Sequence, residues 1–209
     1  MADSTSRVSP ERERMMEYLT VHADTLTSPQ LLARMRAAVG EFEAVIGGVD
    51  SDVARAAIAP GEWNMAEVVD HVAQTQIRAA EELRHLLEGR RPPGPPVYDA
   101  LVSGAARWAS WADLVKGVRA ANAEFNRVLA SASKRGRGGI QTARSILVVN
   151  RTVSAGQIEP EIFEAELGWK GYAMVQRLHL LDHSTQARRI LTTLSRRPPA
   201  RDERAASGR

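Results

Sequence analysis

The sequence predicts an all-α protein, a four-helix bundle with an extra helix at its N-terminus. Three observations carry this. Apolar residues recur at helical spacing over four long stretches. Cap residues, glycines and prolines mark where each stretch starts and stops. No internal repeat argues for a solenoid instead.

A short N-terminal helix is expected around Glu11 to Val21, packed on the outside. The first bundle helix opens at Thr27-Ser28-Pro29, a cap residue followed by proline where a missing N–H costs nothing. Its stripe is Leu31, Leu32, Met35, Val39, Phe42 and Ile46, and Gly47-Gly48 end it. Asn64 and Glu67 have capping-box spacing and start the second helix, which carries Val68, Val72, Ala79, Leu83 and Leu86 to about His85–Glu88. Gly89 and the run Pro92-Pro93-Gly94-Pro95-Pro96 stop it, because proline neither donates to the helix ladder nor fits its interior. Ser110 and Asp113 open the third helix, with Leu114, Val118, Phe125 and Leu129, ahead of a flexible stretch Lys134 to Gly139. The β-branched segment Ser145 to Ala155 suggests a short strand pair. The fourth helix runs from about Gly168 to Leu194, with Trp169, Tyr172, Leu180, Ala187, Ile190 and Leu194 inward.

The 209 residues suffice for one well-buried core and are short for two. The expected division is a flexible N-terminus over residues 1–10, a bundle domain over 11–195 and a basic, disordered tail over 196–209. From Arg188 onward seven arginines face only Asp202 and Glu203, with no interleaved aromatics to stack on bases, so nucleic acid is not expected as a partner. No apolar run spans a bilayer, and Met1 to Glu13 has no apolar core of a secretory signal. The expected compartment is therefore the cytoplasm. The chain has no cysteine, so disulfides, thiolate ligands and an internal thiol nucleophile are all excluded. Any metal must be held by histidine or carboxylate.

The fourth helix carries the chemistry. At about 100° per residue, His179 and His183 stand one turn apart on the apolar face, with Tyr172, Gln176, Leu180, Ala187 and Ile190 near them and Lys170, Arg177 and Arg188 opposite. Two imidazoles in a buried stripe need partners for four ring nitrogens, and a metal satisfies one on each. Two core histidines hydrogen-bonded to neighbouring side chains would satisfy the same pattern. His71 lies at the flank of its own stripe, in line with Glu67, Arg78 and Glu82, and periodicity alone makes it half-exposed.

The stretch Pro60-Gly61-Glu62-Trp63-Asn64 to Glu67-Val68-Val69-Asp70-His71-Val72 resembles the start of the second helix in the DinB-like family, where a Glu-Trp pair precedes a helix with one metal-binding histidine. Leu178-His179-Leu180-Leu181-Asp182-His183 to Gln186 resembles that family's closing H-x-x-x-H helix. The likeness covers roughly Leu26 to Leu194, and the N-terminal helix and arginine tail depart from it. The resemblance implies a four-helix bundle of the DinB-like type, commonly a homodimer, with a three-histidine site for Zn²⁺ or Ni²⁺. The matching positions are His71, His179 and His183.

Three neutral imidazoles leave a dipositive ion its full charge and an open position, the arrangement of catalytic zinc. The resemblance then implies a thiol S-transferase or isomerase acting on a small-molecule substrate. Its thiol would be an external low-molecular-weight bacterial one such as bacillithiol or mycothiol, since the chain has none. A metal-dependent hydrolase is the alternative, with Glu67 as the candidate general base, although Glu67 also fits a capping role. A third reading is a non-catalytic, metal-organised binding or stress-response protein. Thr75, Gln176, Asp182 and Gln186 are candidates to support the ligands. His22 and His85 read as solvated, and Trp63, Trp108, Trp111 and Trp169 as core and helix-end packing. Gly136 to Gly139 lacks the context of a nucleotide loop.

Overall fold

A computed structural model describes residues 8–132, 141–154 and 156–196. The expected flexible stretch Lys134 to Gly139, most of the expected N-terminal segment and residues 197–209 of the expected tail lie outside the described residues. The described chain is mostly helical: α1 Pro10–Thr25, α2 Ser28–Gly47, α3 Ser51–Arg55, α4 Met65–Leu87, α5 Trp111–Ser131 and α6 Trp169–Ser195, with strands β1 Ala143–Ser154 and β2 Gln157–Leu167 between α5 and α6. None of these helices is long and apolar enough to cross a membrane.

The helix starts follow local chemistry. At α2 the Thr27 hydroxyl accepts from the Gln30 N–H while Gln30 Oε1 accepts from the Thr27 N–H at 2.9 Å. At α4 Asn64 Oδ1 takes the Glu67 N–H at 3.0 Å and Glu67 Oε2 takes the Asn64 N–H at 2.8 Å. Each reciprocal pair satisfies backbone donors that a helix start otherwise leaves without partners.

The long helices close a ring in the order α2, α6, α4, α5, each packed on two neighbours. Their stripes meet in one core: Leu31, Met35, Phe42 and Ile46 of α2, Val68, Val72, Leu83 and Leu86 of α4, Val118, Phe125 and Leu129 of α5, and Met174, Leu180 and Ile190 of α6 are all buried. Helix α1 lies outside this ring against α6 and β1, held by the buried Leu19.

The strand pair is longer than the sequence reading allowed. β1 pairs antiparallel with β2 from Ala143↔Leu167 to Ser154↔Gln157, with an irregularity between Thr152 and Ser154 and Gly156 at φ 90° in the turn. The second strand lies wholly beyond the segment Ser145 to Ala155. Phe163, Ala165 and Leu167 alternate with Glu164 and Glu166, and the apolar set is buried with Ala143, Leu147 and Val149. The hairpin joins the bundle through that face.

Two segments had no expected structure: α3 and a single 3₁₀ turn at Ala105–Arg107. Arg188 and Arg189, first of the arginine series, belong to α6 and pair with Glu41 at 2.8 Å and Glu62 at 3.4 Å. Trp108 does not pack as expected. It is 78% exposed just after the 3₁₀ turn, because the turn buries Ala106 instead. Trp111, in contrast, is half-buried and donates its indole N–H to the Val49 carbonyl at 2.7 Å.

Candidate metal centre

The site lies between the neighbouring helices α4 and α6. His71 and Thr75 come from α4, and Tyr172, Gln176, His179 and His183 from one face of α6. His71 is buried at 8% exposure, which corrects the half-exposed position its helix periodicity gave. Its cover is not helical: Trp63 lies with its ring centroid 4.9 Å away, and Leu101, from the loop between α4 and α5, reaches its other nitrogen.

His71 Nδ1 donates to the Leu101 carbonyl at 2.9 Å, and His183 Nδ1 donates to Gln186 Oε1 at 2.7 Å. A neutral imidazole carries one proton, so both rings keep a lone pair on Nε2. Those two Nε2 atoms each stand 3.0 Å from Nε2 of His179. His179 has one Nε2 proton at most, which can serve only one of two acceptors. Its buried Nδ1 has no hydrogen-bond partner either. A cation at the common point removes the conflict between facing lone pairs. With metal–nitrogen bonds of about 2.0–2.1 Å, neighbours in a tetrahedral shell stand about 3.3–3.4 Å apart, within a few tenths of an ångström of the observed spacing. The three histidines thus form a cluster whose nitrogens fit one metal ion.

The electrostatics suit that role. Burial lowers the His71 pKa, opposed by its bond to Leu101 and by the charge of Asp70. His179 is held well below its ordinary value by burial and then by its two histidine neighbours. His183 is lowered to about 4, again by burial first and His71 second, with Gln186 opposing. All three rings are neutral near pH 7, the state in which imidazole is a ligand.

The histidines line a cavity of about 380 Å³. Its walls are largely apolar, with Ala79, Leu101, Ile146, Val148 and Val175. One wall holds a polar relay: the Tyr172 hydroxyl donates to Glu82 Oε2 at 2.6 Å, and Arg78 Nε donates to Glu82 Oε1 at 2.7 Å. Between this relay and His179 sits Gln176, 8% exposed, whose Oε1 is buried without a hydrogen-bond partner.

Of the supporting residues expected from sequence, Gln186 orients His183, and Thr75 and Gln176 line the cavity. Asp182 is exposed and does not join them. Glu67 is held at the helix start by Asn64 and is absent from the cavity wall. His22 and His85 are half-buried rather than solvated. His22 meets Tyr18 edge-on at 4.3 Å, and His85 has its Nδ1 covered with no hydrogen-bond partner. Sequence reasoning missed Glu82 and Tyr172 as a pair, and Asp70 altogether. Asp70 did carry a signal, a carboxylate set between Val69 and His71 in the apolar start of α4.

Among known protein families, the model of the DinB superfamily matches residues 11–149. That stretch contains His71 and stops before α6, so His179 and His183 join the site through the fold. No curated protein and no solved structure matches the chain.

Proposed function

The chain belongs to the DinB superfamily, and from that premise we propose a metal-dependent thiol S-transferase or isomerase that uses an external low-molecular-weight bacterial thiol and a small-molecule substrate. One observation carries this reading. Three Nε2 atoms converge at a cavity wall, and among the described residues no fourth histidine or carboxylate joins their group. His71, His179 and His183 would hold Zn²⁺ or Ni²⁺, and such an ion would supply Lewis acidity toward sulfur or oxygen at its open side. The absence of cysteine makes the thiol an incoming one.

The chain's own groups then divide the remaining work. Gln186 and the Leu101 carbonyl fix the two Nδ1 protons, so that the lone pairs of His183 and His71 stay directed inward. Gln176 Oε1, buried and without a partner, accepts an N–H or O–H of whatever occupies the cavity. Tyr172, Glu82 and Arg78 form a rigid polar wall that orients the far end of a ligand, and the aliphatic residues exclude water between the two ends.

The hydrolytic alternative loses support, because Glu67 is engaged in its capping box and does not line the cavity. The test uses untagged protein, so that no added histidines bind metal. Thiol conjugation to a panel of electrophiles is run beside ester hydrolysis on the wild type, chelated protein and His183→Ala. The expected result is conjugation that chelation and His183→Ala both abolish while circular dichroism stays helical. Turnover that survives chelation overturns the proposal, as does ester hydrolysis without conjugation. Absence of any turnover in metal-loaded protein favours the non-catalytic reading.

A further inference from the structure

Asp70 is 2% exposed, yet it is a carboxylate next in sequence to a histidine of the metal cluster. A buried carboxylate is costly unless its oxygens are hydrogen-bonded. Here they are: Oδ2 accepts the N–H groups of Ser103 and Gly104, each at 3.0 Å, and Oδ1 accepts the Ser103 hydroxyl at 2.6 Å. The Ser103 hydroxyl oxygen in turn takes the Ala105 N–H at 3.1 Å. Gly104 has φ 78°, a left-handed conformation that glycine adopts without strain and that turns the chain immediately after the two bonded N–H groups.

Two residues upstream of this clasp, the Leu101 carbonyl accepts the His71 Nδ1 proton. The loop is anchored elsewhere by Arg78 on the Pro95 carbonyl and by Arg55 on the carbonyls of Ala106 and Ala109. Those anchors hold its flanks. Among the described residues, Asp70 is the side chain that holds the backbone N–H groups just after Leu101.

We propose that Asp70 is a positioning residue for His71, acting through the backbone of residues 101–104. Its carboxylate fixes Ser103 and Gly104, these place the Leu101 carbonyl, and that carbonyl sets the proton and the tilt of the imidazole. The inference rests on His71 being a metal ligand. It also links two events, since the loop that orients the ligand also supplies Leu101 to the cavity wall. Release of the clasp would loosen the metal and open the cavity together.

A rival explanation is direct: the negative charge of Asp70 acts on His71 through space. Ser103→Ala separates the two, because it weakens the clasp and keeps the charge. The experiment uses the untagged full chain. Zinc affinity is measured by competition with a chromophoric chelator. In Co²⁺-loaded protein, the exchangeable Nδ1–H resonances of His71 and His183 are followed for their exchange with solvent.

Asp70→Asn and Asp70→Ala are expected to weaken zinc binding about 10–100-fold, the usual cost of losing an outer-shell support. Ser103→Ala is expected to weaken it about fivefold, as for one lost hydrogen bond. In all three the His71 Nδ1–H exchanges faster while that of His183, held by Gln186, does not change. A general loss of structure would speed both. Unchanged zinc affinity in folded Asp70 variants overturns the proposal. So does a full effect in Asp70→Asn beside none in Ser103→Ala, which assigns the effect to charge. Should Asp70→Ala fail to fold, Ser103→Ala and the strained Gly104→Ala decide the matter by the same two readouts. Absence of zinc binding by the wild type removes the metal reading itself and the proposal with it, a result distinct from a wild type that binds while its variants match it.

Discussion

Metal should stabilise this fold, and by an amount that one substitution cancels. The perturbation is His179→Ala in untagged, chelated protein, compared with wild type as Zn²⁺ or Ni²⁺ is added. His179 is the natural choice because its Nε2 is the atom shared by both 3.0 Å contacts. Its loss leaves two donors, one on each of the neighbouring helices α4 and α6. A ligand that binds only the folded state adds RT ln(1 + [L]/Kd), about 2.7 kcal/mol at one hundred times Kd. For a chain of this size about 2–4 °C accompanies each kcal/mol, so the wild-type midpoint should rise by about 5–11 °C. The variant starts lower, because removing the ring leaves a void, yet the quantity of interest is its response to metal. That response should be near zero. Scanning calorimetry reads both numbers, and metal analysis of the dialysed proteins gives occupancy. A variant that keeps the wild-type shift, or keeps one metal per chain, would refute the assignment of His179.

Two further expectations concern the framework around the site. Burial and the neighbouring Glu82 hold the Tyr172 phenol well above its ordinary value, so this group favours the folded state fully below pH about 10 and that contribution is lost as pH rises further. Chemical denaturation between pH 9 and 11.5 should show stability falling with pH in the wild type and less steeply in Tyr172→Phe; equal slopes would contradict the buried hydrogen bond. Leu180, fully buried on α6 beside His179, should cost about 2–5 kcal/mol on replacement by alanine, read as a lower urea midpoint, and a loss under about 1 kcal/mol would mean that α6 does not pack as described.

What could be read from sequence was whatever is local. The Thr27-Ser28-Pro29 start and the Asn64/Glu67 box were legible because a cap involves residues three apart, and the structure forms both. The α6 histidines were legible for the same reason, since one turn puts them on one face. His71 was misplaced because its burial comes from Leu101, thirty residues onward, and from the Trp63 ring, neither of which lies on its helix. Strand β2 was passed over although Phe163, Ala165 and Leu167 alternate with glutamates, a period-two signal only five residues long, with Pro160 just ahead of it. The Tyr172–Glu82 bond joins residues ninety apart, and no spacing rule reaches that far. Trp108 shows the converse error, since size and aromaticity said buried and the loop left it in solvent.

The distance between the two halves of the site along the chain has a consequence for its biosynthesis. His71 and His179 are separated by 108 residues, and α6 is the last described helix. A nascent chain that has delivered α1 to α5 holds only His71 of the three clustered histidines and cannot assemble this site. A contact of such long sequence separation also closes slowly, because a long loop must be ordered before it is rewarded. Assembly of the cluster is therefore coupled to synthesis and docking of α6: a product truncated before that helix cannot bring the three histidines together.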